Sequence, residues 1–418
     1  MTEISRDNHV IRVSGDLKDF HYLLAQFHQG IEKAAYSELI LDMSECTSAF
    51  QNSMLSVCAQ VTAYREAGID IELIPPKNPR LLSLFRNTNW GYFLDPRKFD
   101  QSHFRGHSRI PATRYKTPDE QQNSVNRIVN IVLGALPDLQ RSNLAAFEWS
   151  INEITDNVLL HSESPIGGLV QVSTFEKNTK SIQFVVADAG VGIPQTLKGG
   201  RPDITSDTDA LDKAIREGVT RDAKIGQGNG LFGTFRVCSK SNGYFQVDSG
   251  HARLEFNSKN GLSISNQNIP YSGTLVVATI DFTDPDLLED ALQFGGKPYK
   301  PIDYLELEYE KSDGIPINFI LINECQAFGS RVSGRPLRQK LHNILRMSGS
   351  PQIAIDFDGV PVVSSSFADE AFGKLFLQLG PVQFMQKVKL INMADTVEGL
   401  INKAIAQRMQ YGASDIDP

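Results

Sequence analysis

Asn152-Glu-Ile-Thr-Asp-Asn-Val-Leu-Leu-His161, then Val186-Ala-Asp-Ala-Gly-Val-Gly-Ile193, then Gly226-Gln-Gly-Asn-Gly-Leu231, is the series on which the reading of this chain turns. Each segment alone is a modest signal, because short glycine patterns are common; the ordered set is far stronger. In the first segment Glu153, Asn157 and His161 recur every four residues, a little over one helical turn, so they share a face. Leu144, Phe147, Ile151, Ile154 and Val158 recur at helical spacing on another, apolar face. The spacing predicts an amphipathic helix with one polar stripe.

A carboxylate and an amide oxygen stacked on one helix face suit a hard cation. Mg²⁺ takes oxygen ligands, keeps several waters, and is held through one or two protein groups plus phosphates. Asn157 is the expected direct ligand. Glu153, one turn back, is placed to hold a metal-bound water or to take a proton from an attacking hydroxyl. Alone, the pair reads equally well as solvated helix residues; the glycine segments downstream favour a site. His161 reads more readily as a partly buried helix residue than as a site member, since the sequence identifies no partner for it.

The second segment closes an apolar strand expected over Ile182–Ala187. A carboxylate buried at a strand end must accept hydrogen bonds, and an adenine amino group is a suitable donor to Asp188; a turn aspartate is the plainer reading. Gly190 and Gly192 allow positive φ and close backbone approach. Gly226, Gly228 and Gly230 precede a helix expected over Leu231–Ser239, whose first N–H groups favour anions, phosphate above all. No G-x-x-x-x-G-K-[ST] occurs, so any nucleotide site lacks a Walker P-loop. The intervening Pro194–Ile225 is expected as a lid loop. Of its basic residues Lys224, beside the glycines, is best placed to reach a terminal phosphate. Most of the others read as solvated surface.

On these residues, 118–282 resembles the GHKL ATPase superfamily of gyrase, heat-shock chaperones, histidine kinases and MutL. The helix looks most like that of the anti-sigma-factor serine kinases, which carry a glutamate four residues before the metal-binding asparagine and a histidine four after it. The resemblance implies ATP and Mg²⁺ as cofactors, Asn157 as metal ligand, Glu153 as catalytic base and Asp188 as the adenine reader. It implies that Gly190, Gly192, Gly226, Gly228, Gly230 and Leu231 shape the pocket and lid. Thr274, in Gly273-Thr-Leu-Val-Val-Ala-Thr-Ile280, matches a late threonine that supports the adenine aspartate.

Length and composition bound the rest. A chain of 418 residues suits two or three domains, and its 41% hydrophobic and 22% charged residues are those of a globular protein. A net charge of −8 argues against general nucleic-acid binding. No apolar run approaches a membrane span, and the start is not a signal peptide. Cys46, Cys58, Cys238 and Cys325 lie too far apart for a metal-ligand pattern, and a reducing cytoplasm is the expected compartment.

Both flanks read as alternating strands and helices. Over residues 1–98 strands are expected at Val10–Val13, Glu38–Met43 and Ile69–Ile74, and helices at Leu17–Ala35 and Gln51–Ala67. Over residues 316–412 a strand leads into Asp356, a helix into Leu379, and a strand at Val388–Ile391 precedes a final helix. Aligning Asp42 with Asp356 makes both read strand, aspartate, short loop, helix. Both flanks resemble STAS domains, the partner fold of anti-sigma-factor kinases. The residues that carry this in the C-terminal copy are Phe328-Gly-Ser-Arg331, Asp356-Phe-Asp-Gly-Val360 and Ser366-Phe-Ala-Asp-Glu370. STAS antagonists are phosphorylated on a serine at the start of the helix after this strand. Here the N-terminal copy has Gln51 and Asn52, and the C-terminal copy has Ser364, Ser365 and Ser366. Ser365 is a candidate acceptor, and helix capping is the plainer role for the run. Asp100–Asn123 and Thr283–Ile302 read as linkers, and Asp303–Tyr309 as a strand.

The expected fold is therefore α+β: a central two-layer α/β sandwich of the GHKL type flanked by two small STAS-like domains, in a bacterial signalling protein. Two functions fit it. One is a Mg²⁺-ATP-dependent serine/threonine protein kinase or ATPase acting on a STAS-type or other regulatory partner. The other is a nucleotide-gated interaction switch without phosphotransfer. Neither requires nucleic acid or membrane, and both are compatible with a homodimer.

Overall fold

The computed structural model describes residues 2–103, 109–176, 180–216, 230–282, 303–309, 316–325, 327–347 and 352–411, with isolated positions between 291 and 298. The fold is α+β, with helices packed on separate sheets. It divides into two compact units, Met1–Val125 with Trp149–Lys300, and Asn126–Glu148 with Pro301–Pro418.

The first unit opens with a hairpin, β1 (Glu3–Asp7) and β2 (Val10–Leu17), turned at Asn8, whose φ of 54° asparagine tolerates well. Then come α1 (His21–His28), β3 (Glu38–Asp42), β4 (Cys46–Ala49), α2 (Gln51–Glu66), β5 (Asp70–Ile74), α3 (Pro79–Asn87) and α4 (Trp90–Leu94). The strands order β1-β2-β3-β5, parallel from β2 onward, with β4 paired beside the end of β2. The first helix starts later than the apolar spacing suggests. Leu17 still belongs to β2, and the Asp19 carboxylate accepts from His21 N at 3.0 Å to begin α1.

The central sheet is antiparallel throughout, in the order β6 (Thr113–Tyr115), β7 (Gly168–Phe175), β8 (Ser181–Asp188), β10 (Gly261–Asp281), β9 (Tyr244–Asn257). Helices α5 (Pro118–Ala135) and α6 (Arg141–His161) join β6 to β7, while α7 (Gly192–Gly200), α8 (Asp207–Ala214) and α9 (Gly230–Lys240) lie between β8 and β9. Two expectations are corrected. The polar stretch 100–123 is not only a linker, because it supplies β6 and the start of α5. The insert after Pro194 is not a plain loop, because its described part, to residue 216, is mostly α7 and α8.

Period-two alternation gives the sheet two distinct faces. On β8, Val185 and Ala187 point one way, and with Leu169, Leu275 and Val277 they join the apolar core of the N-terminal strands and helices. We call this the back face. Val186 and Asp188 point the other way, to the front. Several polar groups on the back face bond across the junction. Gln51 Nε2 donates to the Gln171 carbonyl at 2.8 Å, Gln51 Oε1 accepts from Ser173 Oγ at 2.5 Å, and Trp90 Nε1 donates to Gln171 Oε1 at 2.8 Å. Buried His21 and half-buried Arg253 converge on buried Asp248, with the guanidinium 2.6 Å from its carboxylate.

After a short pair, β11 (Gln293–Phe294) with β12 (Lys297–Pro298), the second unit contains a parallel sheet, β13 (Ile317–Ile320), β14 (Ile353–Asp356) and β15 (Val388–Ile391). It also contains the turn between α5 and α6. Asn343, fully buried on helix Arg331–Met347, donates to the Leu133 and Leu136 carbonyls and accepts from Leu139 N. Arg141 grips Asp303 with two bonds of 2.8 and 3.1 Å. The expected strand at Asp303–Tyr309 is instead a helix, Tyr304–Glu308: Asp303 accepts from Glu306 N and caps it. Asp-x-x-Glu is a helix-start pattern that outweighed the strand reading. Helices α5 and α6 each run through the division between the two units.

Candidate functional site

The five apolar positions read from α6 are all buried, which leaves Glu153 and Asn157 half-buried on another side of the helix. Gly230, the first residue of α9, sits against both. A Cβ there would lie 2.6 Å from Glu153 Oε2 and 3.2 Å from Asn157 Nδ2. The chain after the third glycine segment therefore meets the polar stripe of α6, and only glycine allows so close an approach. Next to it Leu231 packs on a small apolar cluster of Leu197, Ile204, Ala210 and Ala214 from α7, α8 and their connection. Lys224, Gly226 and Gly228 lie outside the described residues.

The second segment meets the C-terminal end of α6, just beyond Asn157. Val191 N donates to the Ser162 carbonyl at 2.8 Å, and Gly190 packs so closely on that carbonyl that a Cβ would overlap it. Gly192, at φ +80°, backs onto Ser249 Oγ and the Gly273 carbonyl. Ser249 Oγ in turn accepts from Ile193 N at 2.9 Å and donates to Gly273 O at 2.7 Å. Gly273, at φ +106°, lies against Asp188, with a Cβ there 2.9 Å from Oδ1.

Asp188 is 1% exposed. Its carboxylate accepts from Gly190 N at 2.8 Å and from the Thr274 backbone. Burial outweighs both bonds and pushes its pKa up to about 7. Behind it, Tyr271 on the back face donates its hydroxyl to the Asp188 carbonyl at 2.8 Å. Burial and the nearby Asp156 carboxylate likewise push Glu153 above the ordinary range. Both carboxyls thus sit where a hydrogen-bond donor or a cation would relieve them.

Among the described residues no group of three or more His, Cys, Asp or Glu side chains could hold a metal. A cation bound mainly through phosphate and water needs no such group. An amide and a desolvated carboxylate one turn apart, facing a close-packed glycine, fit that mode. The lid cations have acidic partners: Lys198 with Asp207 at 2.6 Å, Lys213 with Asp203 at 3.0 Å, and Arg216 with Asp212. Arg221 lies outside the described residues. The His161 carbonyl accepts from Thr196 Oγ1 at 3.3 Å, which fits a structural role for that helix turn.

Sequence reasoning did not find Ser162, Ser249 or Tyr271. Gly273 beside Thr274 was the one local signal that the strand there carries a special backbone position. In the C-terminal unit Ser364 caps the helical segment beginning at Ser365 by accepting from Phe367 N at 3.0 Å, while Ser365 itself is exposed. Downstream, Asp369 is gripped by Arg408 at 2.7 and 2.8 Å. Buried Glu370 binds Lys374 at 2.8 Å and Arg338 at 3.1 Å.

Residues 333–398 match the model of a STAS-like domain of unknown function (DUF4325). The match lies inside the stretch 316–412 that resembled such a domain and contains Ser365, Asp369 and Glu370. No curated protein matches the chain in sequence. Among solved structures, one similar chain is the histidine kinase domain of the blue-light activated histidine kinase from Erythrobacter litoralis EL346. It is 12% identical, with 58% of this chain and 99% of that one covered, at a TM-score of 0.19. A TM-score of that size establishes no shared fold. No helix among the described residues is long and apolar enough to cross a membrane.

Proposed function

We propose that the central sheet with α6 and α9 is a Mg²⁺-ATP site of the GHKL type in a signalling protein that acts as a serine/threonine protein kinase or ATPase. The observation that carries this is Gly230 packed directly on Glu153 and Asn157, in the C-terminal half of a helix whose last turn meets the Asp188 segment. Asp188 accepts the exocyclic amino group of the base, supported by Gly190 and Thr274. The backbone at Gly230 and Leu231 opens α9 toward the phosphates, where helix N–H groups favour anions. Asn157 holds the metal, which when bound neutralises phosphate charge and so assists phosphoryl transfer. Glu153, made more basic by burial, takes the proton from the acceptor hydroxyl or water. Lys224 is the lid residue assigned to the terminal phosphate.

The acceptor we assign is Ser365, exposed at a helix start within the STAS-like domain. Its hydroxyl oxygen bonds to the γ-phosphorus, its proton passes to Glu153, and ADP leaves. A phosphate there adds about −1.5 to −2 charges. A STAS-type or other regulatory protein, or a second copy of the chain, is the partner whose binding this would change.

A second reading, a nucleotide-gated switch without phosphotransfer, is favoured by the continuity of α6. The helix that carries Asn157 also carries Arg141 and Glu148, which are bonded to Asp303 and to Tyr304 N. One experiment separates the readings. The full chain is incubated with γ-labelled ATP and Mg²⁺, and free phosphate and labelled protein are followed separately, with mass spectrometry of Ser365. Labelled Ser365 supports the kinase and released phosphate the ATPase. Mg²⁺-dependent binding without turnover supports the switch. ATP binding that Asn157→Ala leaves unchanged in the presence of Mg²⁺ overturns the metal assignment.

A further inference from the structure

Tyr115, Gly168 and Asp188 form one row across three neighbouring strands. Tyr115 pairs with Gly168 in the β6–β7 register, and Gly168 pairs with Asp188 in the β7–β8 register. Directly opposed residues send their side chains to the same face, so all three positions belong to the front face. Gly168 contributes no side chain, and the Tyr115 ring fills the space. A Cβ on Gly168 would overlap the Tyr115 hydroxyl and stand 2.5 Å from Cζ and 3.0 Å from Cε1. The tyrosine therefore crosses the middle strand and points its hydroxyl toward Asp188.

That hydroxyl is fully buried, yet it has no hydrogen-bond partner among the described residues. A buried hydroxyl without a partner is costly, and a phenylalanine would fill the same ring volume without that cost. Burial first, and then the Asp188 and Asp156 carboxylates in that order, hold its proton on. Adjacent strands are about 4.8 Å apart, so a hydroxyl over Gly168 stands about one strand spacing from the Asp188 position. That interval suits one bridging water better than a direct bond.

We propose that Tyr115 is a specificity-determining residue of the base site. Its hydroxyl donates to a water shared with the Asp188 carboxylate and with a ring nitrogen of a bound 6-aminopurine. The inference rests on the nucleotide reading above and extends it. It names a further group that tells the 6-aminopurine from a 6-oxopurine. With the amino group bound, Asp188 accepts from the base and the shared water accepts from Tyr115. A 6-oxopurine presents a carbonyl to the Asp188 carboxylate, acceptor facing acceptor, and a ring N–H to the hydrogen that the water, oriented by Tyr115, points at the base, donor facing donor.

The test is Tyr115→Phe in the full chain, with equilibrium binding of ATP and ITP in Mg²⁺ and urea denaturation of both proteins. Wild type is expected to prefer ATP. The variant should bind ATP about tenfold more weakly or worse, the scale of one lost hydrogen bond to a charged network. Its ITP affinity should hardly change, so discrimination shrinks, while its unfolding midpoint stays level or rises. Equal weakening of both nucleotides, or no change in either, overturns the assignment of Tyr115 and leaves the nucleotide site standing. A wild type that binds both nucleotides equally well also overturns it. A wild type that binds neither overturns the nucleotide reading itself, and this assignment with it.

Discussion

The two faces of the central sheet are built from the same strands and differ in how their polar groups are satisfied. On the back face Gln51, Gln171, Ser173 and Trp90 bond one another and Asp248 is held by Arg253, and among the described residues the atoms left over are nitrogens, Gln171 Nε2 and His21 Nε2. On the front face the Asp188 carboxyl is desolvated with a raised pKa, as is that of Glu153 on α6, and the Tyr115 hydroxyl has no hydrogen-bond partner among the described residues. A buried polar group that the protein completes itself contributes to the fold. One left incomplete stores a cost that a ligand can relieve. The contrast also separates two helix starts. Gln51, at the start of α2, is sealed into the back face, whereas Ser365, within the STAS-like match, is open to solvent.

Substitutions on the two faces should therefore act on different observables. The largest effect is expected from Glu153→Ala on the front face. Turnover should fall ~10²–10⁴-fold while ATP affinity, read by calorimetry, holds. A variant with full turnover would remove the base assignment. Next is Gln51→Ala on the back face, which strands the Ser173 hydroxyl and the Gln171 carbonyl. It should cost about 2–3 kcal/mol in urea denaturation, against less than about 0.5 kcal/mol for Ser365→Ala, a solvent-facing change. Equal costs would erase the distinction between sealed and open helix starts.

The third effect is one of pH. An aspartate whose folded pKa is raised from 3.8 to about 7 contributes its full stability below the unfolded value and loses it as pH rises toward 7. Melting temperatures between pH 5 and pH 8 should fall more steeply for wild type than for Asp188→Asn. Glu153, shifted in the same direction, stays in both proteins and cancels from the comparison. Parallel slopes would mean that Asp188 keeps an ordinary pKa and needs no donor from a ligand. The smallest effect, about 1 kcal/mol in stability, is expected for Tyr271→Phe, which removes the back-face bond to the Asp188 carbonyl. Because that bond supports a front-face residue, ATP affinity should also drop slightly. A loss of stability with no change in ATP affinity would show that the faces are independent.

Much of this was legible in the chain as written. The four-residue spacing of Glu153 and Asn157 and the apolar spacing of α6 are relations between neighbours in sequence, and helical geometry converts them directly into faces. The strand–aspartate–helix pattern of the C-terminal part was equally local, and the family match over 333–398 falls within it. Asp303–Tyr309 was misread because a short apolar run fits either period; the cap that decided it is a single aspartate. The lid insert was read as loop because its two short helices carry few apolar positions.

What the sequence determined by itself was therefore the order of elements, the polar stripe on α6 and the glycines that must approach it. The tertiary structure decided which residue completes which. Tyr271 and the Asp188 carbonyl are 83 residues apart, and Gln51 and Ser173 are 122 apart. Tyr115 reaches the base site only because strand register sets Gly168 between it and Asp188. A one-residue slip of that register would turn each of these side chains to the opposite face. Pairing of distant strands fixes the register, so local periodicity alone could not have shown which buried polar groups would meet.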